Sequence, residues 1–286
     1  MSEAPGLHLS FETLADSETA APRTILRVKQ QRPPWRVVRG FPAPSGETLA
    51  HIHNLSGGIL DRDALSFQID VLPGAQAQVT STGATRIYRS RSPEHSASQI
   101  ATAEVHERGY LEYVPDQLIP FAGSRFTQAT RIQLRPGASL IWWDRIAPGR
   151  EASGELFRYD SLSSSFELSV CGQPIAIERW TVEPLLRGPG SIARLGPFRH
   201  FASCYVCKAG QPAPFWRSFE NRLQEIADRI SNPEILWGVT SLRAHGLVIR
   251  GVSVNGRPLA EGLIELWKAA KWQLCGRLAT IPRKIH

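Results

Sequence analysis

The chain has 286 residues, of which 42% are hydrophobic and 21% are charged. This length suffices for one large or two small domains, and the composition is that of a folded globular protein, which excludes a largely disordered chain. The formal net charge is +7, but the arginines are dispersed and form no basic run, so most are expected to be solvated surface charge rather than a nucleic-acid-binding tail.

Signals for export or membrane insertion are not evident in the sequence. The first five residues carry no basic group and precede no apolar stretch, unlike a signal peptide. No apolar run approaches the roughly 20 residues that a membrane helix needs. Four cysteines are too few for a disulfide framework in a chain of this length and favour a reducing compartment. We therefore expect a cytoplasmic protein with no membrane partner.

Residues 7–210 are predicted to form a β-rich core of short strands. From Leu65 to Val71, apolar residues alternate with others, which is the period of a strand with one buried face. The pattern recurs after turns in which a glycine is expected to adopt a positive φ angle. These turn glycines are Gly74, Gly109 and Gly137. The prediction is a mostly β fold of stacked strands, either a β-helix-like coil or a sandwich-like pair of sheets.

Residues 211–286 are predicted to contain two helices and one strand. Apolar residues spaced three or four apart indicate a first helix from Pro214 to Ile230 and a second from Pro258 to Cys275. Gly276 is a natural C-cap for the second helix. Leu247–Ile249 is predicted to be a strand between them. We expect the complete chain to form a single domain.

Motifs for catalysis or tight metal binding are weak. The sequence contains no phosphate-binding loop that ends in Lys-Ser/Thr and no nucleophile-elbow serine. Cys204 and Cys207 lie in a predicted strand, on which residues three apart face opposite sides, so we interpret them as structural. His51 and His53 would share one face of a strand and are second-tier candidates for metal ligands, although paired strand histidines are more often without a metal.

Four sequence blocks carry a family resemblance. They are His53–Asp63, Thr80–Ser90, Leu111–Arg125 and Trp143–Phe157, and the shorter segments Glu178-Arg179 and Pro282-Arg283 also fit. Their order and spacing resemble those of the UreD (also called UreH) family of urease accessory proteins, over roughly residues 7 to 286. The motif residues expected to shape these blocks are Gly57, Gly58, Tyr88, Arg89, Pro120, Gly123 and Arg125. The chain departs from the pattern at Asp61-Arg62, where many members have Gly-Gly.

The resemblance implies a urease maturation factor and no enzymatic activity. Such a protein is expected to bind urease apoprotein and UreF, and to reach the GTPase UreG through UreF in a hetero-oligomeric UreD-UreF-UreG complex. Nickel would pass transiently, with no tightly bound cofactor. The implied fold is similar to the stacked strands with two C-terminal helices predicted above.

Isolated carboxylates suit the passage of nickel, because a cage of histidine and cysteine would bind Ni²⁺ too tightly to release it. The candidates, chosen because they lie in blocks that resemble the family, are Asp63, Glu112, Asp116, Asp144, Glu155 and Glu178. Asp63, Asp144 and Glu178 are the preferred three. Trp267 and Trp272, beside the apolar stripe of the second predicted helix, are expected to be exposed and are candidates for docking a partner.

Two other functions remain open at the level of sequence. A β-helix-like fold with scattered carboxylates is compatible with an enzyme that acts on a carbohydrate, since such enzymes use carboxylates as acid and base. The high isoelectric point, about 9.6, is compatible with a nucleic-acid-binding protein. The family resemblance favours neither, and we expect no nucleic acid partner.

Overall fold

The computed structural model describes residues 6–14, 22–191 and 194–282. This part of the chain is mostly β, as predicted, with two α-helices towards its C-terminal end. The helices are α1 (Ala213–Ile230) and α2 (Gly256–Cys275), and Glu151–Ser153 forms a single 3₁₀ turn. The strands are β1 (Leu7–Leu14), β2 (Arg23–Gln31), β3 (Trp35–Arg36), β4 (Gly40–Pro42), β5 (Thr48–Asn54), β6 (Ala64–Val71), β7 (Gln76–Ser81), β8 (Thr85–Ile87), β9 (Ala97–Val105), β10 (Tyr110–Tyr113), β11 (Leu118–Pro120), β12 (Arg125–Leu134), β13 (Ser139–Ile146), β14 (Ser161–Val170), β15 (Gln173–Val182), β16 (His200–Lys208), β17 (Ile235–Ser241) and β18 (Gly246–Ser253). Neither α1 nor α2 is long and apolar enough to span a membrane.

The strands form two sheets that the chain visits alternately. The first sheet has the order β15-β14-β12-β9-β6-β1-β2, and the main path of the second is β17-β18-β16-β13-β10-β7-β5-β3. Between β5 and β14 the long strands switch sheets in turn, and neighbours within each sheet are parallel. The result is a coil of stacked strands, which confirms the β-helix-like prediction. Antiparallel strands then extend both sheets.

Apolar side chains from both sheets fill the interior of the coil. In β6, Phe67, Ile69 and Val71 are buried, which confirms the predicted alternation. The parallel register pairs Phe67 with Ala101 of β9, so side chains of one strand lie over those of the next. Removal of these side chains from water is the main favourable contribution to folding, and their close packing fixes the spacing of the two sheets.

Both helices pack on the outer face of the second sheet. Pro214 lies in the first turn of α1, where a proline needs no partner for a backbone N–H. The apolar stripe of α1 buries Trp216, Phe219 and Leu223 in a second core, which α2 shares. Gly276 ends α2 with a φ of 66°, the left-handed C-cap expected of a glycine.

One of the three turn predictions is wrong. Gly74 and Gly137 each have a φ of 71°, as expected. At the third turn the positive φ, 56°, belongs to Arg108 and not to Gly109. A side chain at Gly109 would instead place its Cβ 3.0 Å from the carbonyl oxygen of His106. Close packing, and not a left-handed conformation, therefore favours glycine at that position.

Strand β17 is absent from the predicted elements, although Ile235, Trp237 and Val239 alternate along it and are buried. The Trp237 indole fits between β18 and α2. A Cβ at Gly251 of β18 would lie 2.4 Å from its ring, and a Cβ at Gly262 of α2 would lie 2.8 Å from its Nε1. The two glycines therefore let α2 approach the sheet closely enough to cover this tryptophan.

We predict that Gly262→Ala lowers the free energy of unfolding by about 1–3 kcal/mol, because the added methyl group overpacks the Trp237 site. Helix propensity alone would give the opposite result, since alanine stabilises a helix by about 1 kcal/mol relative to glycine. A loss of stability therefore reports the packing against Trp237. Urea denaturation provides the measurement. The matched control is Gly238→Ala in β17, where an added Cβ would have open space. Unchanged stability of Gly262→Ala would contradict the packing described.

Candidate functional site

Two of the predicted carboxylates come together inside the coil. Asp144 lies on β13, two residues after the buried Trp142, so both side chains point between the sheets. Glu178 lies on β15 opposite the inward-facing Phe166 of β14, and therefore points into the same interior. The repulsion between the Glu178 and Asp144 carboxylates contributes to the pKa of Asp144, which places the two groups within electrostatic reach of each other.

Two side chains of the second sheet hold Glu178. The Tyr205 hydroxyl donates a hydrogen bond of 2.6 Å to Oε2 of Glu178. Nη2 of Arg250 donates to the same oxygen at 2.5 Å and forms an ion pair with it. Glu178 is therefore oriented across the gap between the sheets, and one cation already offsets its charge.

Asp144 has an unusual proton affinity. Burial raises its pKa from 3.8 to about 6, the Trp142 indole opposes this shift, and the Glu178 carboxylate adds to it. Burial, and secondarily the Asp144 charge, also raises the pKa of the neighbouring Tyr113 hydroxyl. At neutral pH Asp144 is thus close to its titration range, so a cation can compete with a proton for its oxygens.

Cavities open on either side of this carboxylate pair. The loop-end cavity, of about 280 Å³, is lined by Tyr113 on its inner wall and by Gly57, Gly58 and Arg86 at the end of the coil. The seam cavity, of about 580 Å³, lies between β15 of the first sheet and β16 and β18 of the second, and Glu178 lines it. Glu178 thus lines the seam cavity, and Asp144 lies near Tyr113, which lines the loop-end cavity.

Glu112 belongs to a separate, closed cluster on the outer face of the second sheet. Nζ of Lys271, from α2, lies 2.9 Å from Oε1 of Glu112 and 3.1 Å from Oε1 of Glu47, and the side chains of all three are fully buried. The Tyr110 hydroxyl and Nε2 of Gln78 also donate to Glu112. Burial raises the pKa of Glu112, although Lys271 opposes the shift. This cluster ties α2 to the coil.

The remaining three carboxylates support loops. Oδ2 of Asp63 accepts a hydrogen bond of 2.8 Å from the backbone N–H of Leu60, three residues earlier, and so stabilises a turn. Asp116 lies 3.6 Å from Nη2 of Arg145. Glu155 forms a two-point ion pair with Arg150, which lowers its pKa. The structure does not bring these three to the Asp144–Glu178 pair.

The histidine and cysteine candidates are dispersed. His51 is buried and His53 is half-buried on β5, and burial lowers the pKa of His53. Cys204 and Cys207 are both fully buried, but they belong to different cores on opposite faces of β16, as predicted. Within the described residues, no three histidine, cysteine or acidic side chains are grouped so that they could hold a metal ion.

The motif residues gather at one end of the coil. Gly58 packs against Tyr88, and a Cβ there would lie 2.6 Å from the Tyr88 ring, while Gly57 adopts a φ of 74°. Gly123, with a φ of 70°, lies against the side chain of Arg89. Other motif residues are adjacent: Pro120 pairs with Ile87, and Arg125 forms an ion pair of 3.0 Å with Asp160. Among these motif residues, Gly57 and Gly58 line the loop-end cavity, and the others lie beside them.

One predicted docking residue is misplaced. Trp267 is only 1% exposed and packs edge-on against Trp143, so the expectation of an exposed ring is wrong. Its position on α2 turns it towards the sheet, together with Leu263 and Ala270. Trp272 is 52% exposed and stays a candidate for partner docking.

Comparison with known proteins identifies the family. A family model described as UreD urease accessory protein matches residues 6–285. The chain belongs to the UreD family. It is 41% identical, over 92% of both chains, to urease accessory protein UreD of Herpetosiphon aurantiacus. It is 30% identical to urease accessory protein UreD 2 of Brucella abortus, over 98% of this chain and 90% of the relative.

A further relative is urease accessory protein UreD of Marinobacter nauticus, which is 36% identical over 63% of this chain and 61% of its own length. The resemblance stated from the sequence blocks is thus confirmed. This member of the UreD family has an accessory role in urease maturation and is not an enzyme. The alternative of a carbohydrate-active enzyme is therefore wrong.

Sequence reasoning missed four residues that surround the candidate carboxylates. Tyr205 and Arg250 hold Glu178, and Glu47 and Lys271 enclose Glu112. A signal exists only for Lys271, because it is a rare lysine within a largely apolar helix. The others come from distant strands, and only the fold brings them to their partners.

We predict that Lys271→Met destabilises the protein by about 3–5 kcal/mol, because Glu112 is left buried without a cation and Glu47 keeps only Arg277, whose Nη1 lies 3.5 Å from its Oε1. Adding Glu112→Gln removes one of the two charges and should restore part of the loss. The control is Lys268→Met on the exposed side of α2. Chemical denaturation of the wild type and the three variants measures the effect, and an equal loss for Lys268→Met would refute the role of the buried cluster.

We predict that Asp144→Asn stabilises the protein increasingly as pH rises from about 4 to about 7. The folded-state pKa of Asp144 is raised to about 6, so the wild type loses stability as pH rises from the unfolded pKa through the folded one. The gain should reach the order of 2 kcal/mol at neutral pH. Thermal unfolding across this pH range is the measurement, with the exposed Asp228→Asn as control. A pH-independent difference would show that Asp144 is not buried as described.

Proposed function

We propose that this chain is a scaffold for nickel delivery that binds urease apoprotein and UreF, and UreG through UreF, in a hetero-oligomeric complex. Ni²⁺ is cargo in this proposal and not a resident cofactor. The observation that carries it is the position of Asp144 and Glu178 inside the coil, between the loop-end cavity and the seam cavity.

The chemistry of the carboxylate pair suits transfer better than storage. Nickel binds nitrogen and sulfur ligands with high affinity, so a site rich in histidine and cysteine would retain it. Asp144 and Glu178 offer oxygen ligands only, with the seam cavity providing room for water. A hydrated divalent cation that enters the coil needs nearby negative charge to offset lost solvation, and these two groups supply it.

Two features keep the affinity of the Asp144–Glu178 pair for a cation low. Arg250 and the Tyr205 hydroxyl already occupy Oε2 of Glu178, so a cation competes with existing partners there. Asp144, whose pKa is about 6, exchanges readily between a protonated and a charged form near neutral pH. The arriving cation would displace the proton, and the departing cation would allow it to return.

The closed cluster of Glu112, Glu47 and Lys271 is not part of the proposed route. Its ammonium group fills the space between the two carboxylates, and it lies on the opposite face of the second sheet. We assign it to the attachment of α2. Trp272, with the exposed Leu278 and Ile281 beyond the helix, remains the candidate surface for one of the protein partners.

The test is urease activation, which this proposal places in the cytoplasm, in cells that carry the other urease genes. Deleting this chain should abolish activity, and Asp144→Ala or Glu178→Gln should lower the nickel content of purified urease several-fold while the complex still assembles. The control is Glu167→Gln on the outer face of the first sheet.

The outcomes separate the parts of the proposal. Active, nickel-loaded urease without this chain would exclude the maturation role in that system. Full activation by both Asp144→Ala and Glu178→Gln would leave the family assignment intact but exclude this carboxylate pair as the route.

A further inference from the structure

Four arginines surround two aromatic rings at the end of the coil where the loop-end cavity opens. We call the set the arginine collar, which consists of Arg86, Arg89, Arg150 and Arg158, with Tyr88 and Phe121 between them. All four arginines are exposed. Arg86 lies on β8, Arg89 follows that strand, and Arg150 and Arg158 belong to the segment between β13 and β14. The fold, and no basic run in the sequence, therefore produces this concentration of positive charge.

The collar is held in place by its own contacts. The Tyr88 and Phe121 rings meet edge to face with centroids 5.1 Å apart, and the Arg150 guanidinium lies over the Phe121 ring at 4.3 Å. The Arg89 side chain runs along Gly123, and Nη1 of Arg86 donates to the carbonyl oxygen of Gly57. A preorganised surface loses little conformational entropy when a partner binds.

The collar carries an excess of positive charge. Glu155 is hydrogen-bonded to Arg150 and also lies within electrostatic reach of Arg158. Among the described residues no carboxylate forms an ion pair with Arg86, Arg89 or Arg158. The collar thus contains four guanidinium groups and a single carboxylate, Glu155, that is ion-paired within it. Planar guanidinium donor arrays match carboxylates in two-point contacts.

This charge stands at an opening of the proposed route. Arg86, Gly57 and Gly58 line the loop-end cavity. A guanidinium group at a narrow opening repels a divalent cation and has little counterion screening at such short range. Carboxylates from a bound partner would neutralise the collar and make the same opening favourable for a cation.

We propose that the arginine collar docks an acidic segment of a protein partner, and that this docking opens the loop-end cavity to the cation. The inference rests on the proposed delivery function and adds to it the chemistry of one partner and the place where it binds. Free Ni²⁺ is repelled at this opening, so that transfer is coupled to assembly of the complex.

The geometry favours an acidic protein over a nucleic acid. Arg150 covers one face of Phe121, and the Phe121 and Tyr88 rings contact each other edge to face, so both rings already have packing partners that a stacked base would have to displace. The collar residues lie on β8 and in loops, and none lies on an α-helix that could enter a major groove. Nucleic acid binding is therefore an outcome that the test must distinguish.

The experiment compares Arg89→Glu/Arg158→Glu with a control that makes the same charge change elsewhere. The control is Arg217→Glu/Arg222→Glu on the exposed face of α1. Each tagged full-length chain is co-expressed with urease apoprotein, UreF and UreG, and retention of each is measured at about 0.15 M salt. We expect the collar variant to lose one directly bound partner by about tenfold or more, either urease apoprotein or UreF together with the UreG that it carries, and Arg89→Lys/Arg158→Lys to retain it.

Further readings decide the other cases. Equal retention by the collar variant and the control would overturn the proposal, as would binding of a short DNA duplex by the wild type that the collar variant alone loses. Loss of all partners with an altered circular dichroism spectrum would indicate misfolding of the collar variant. Arg86→Gln, which removes one charge only, then decides: weaker retention of one directly bound partner supports the proposal, and unchanged retention overturns it. Failure of the delivery function itself shows separately, since the wild-type chain would then be dispensable for urease activation.

Discussion

The Trp142 ring of β13 stacks on the Tyr113 ring of β10, with ring centroids 4.0 Å apart, because the parallel register pairs these two residues. The same register repeats through the coil and aligns the inward side chains of successive turns. Asp144, two residues beyond Trp142 on the same face, is therefore held inside the coil next to Tyr113. A shift of one residue would turn it to the opposite face of the sheet.

The second sheet thus separates two half-buried carboxylates, Asp144 and Glu178, from two fully buried ones, Glu112 and Glu47. On its inner face, Asp144 and Glu178 lie between cavities, with a proton affinity and partners that leave them exchangeable. On its outer face, Glu112 and Glu47 are neutralised by Lys271 in a packed core. Carboxylates therefore attach a helix on the outer face, whereas on the inner face they are the residues of the proposed transfer, since water access differs between the two faces.

The family motif residues lie mainly at the end of the coil and not beside Asp144 and Glu178 on the proposed route. Gly58, Gly123 and Tyr88 determine how closely the loops approach, and they hold the arginines of the collar in fixed positions. Close packing and positive charge thus occur together at one end of the coil, where carboxylates of a partner can neutralise the arginines of the collar. Accessory function in this view depends on an incomplete surface, because the missing negative charge comes from another protein.

The sequence by itself determined the alternation that buries one face of each strand, the two helices and the opposite orientation of Cys204 and Cys207. These features depend on local periodicity, which can be read directly from the amino-acid sequence. The ordered blocks also determined the family. The chain alone did not reveal that Trp267 is buried or that Arg108 takes the positive φ, because both depend on what packs nearby.

Only the tertiary structure decided which carboxylates meet. Asp144 and Glu178 are 34 residues apart and lie on different sheets, while Asp63, Asp116 and Glu155 have similar sequence contexts but support loops. The partners Tyr205 and Arg250 come from still later strands. Proximity across a coil follows from the register of many strand pairs at once, and no local pattern carries that information.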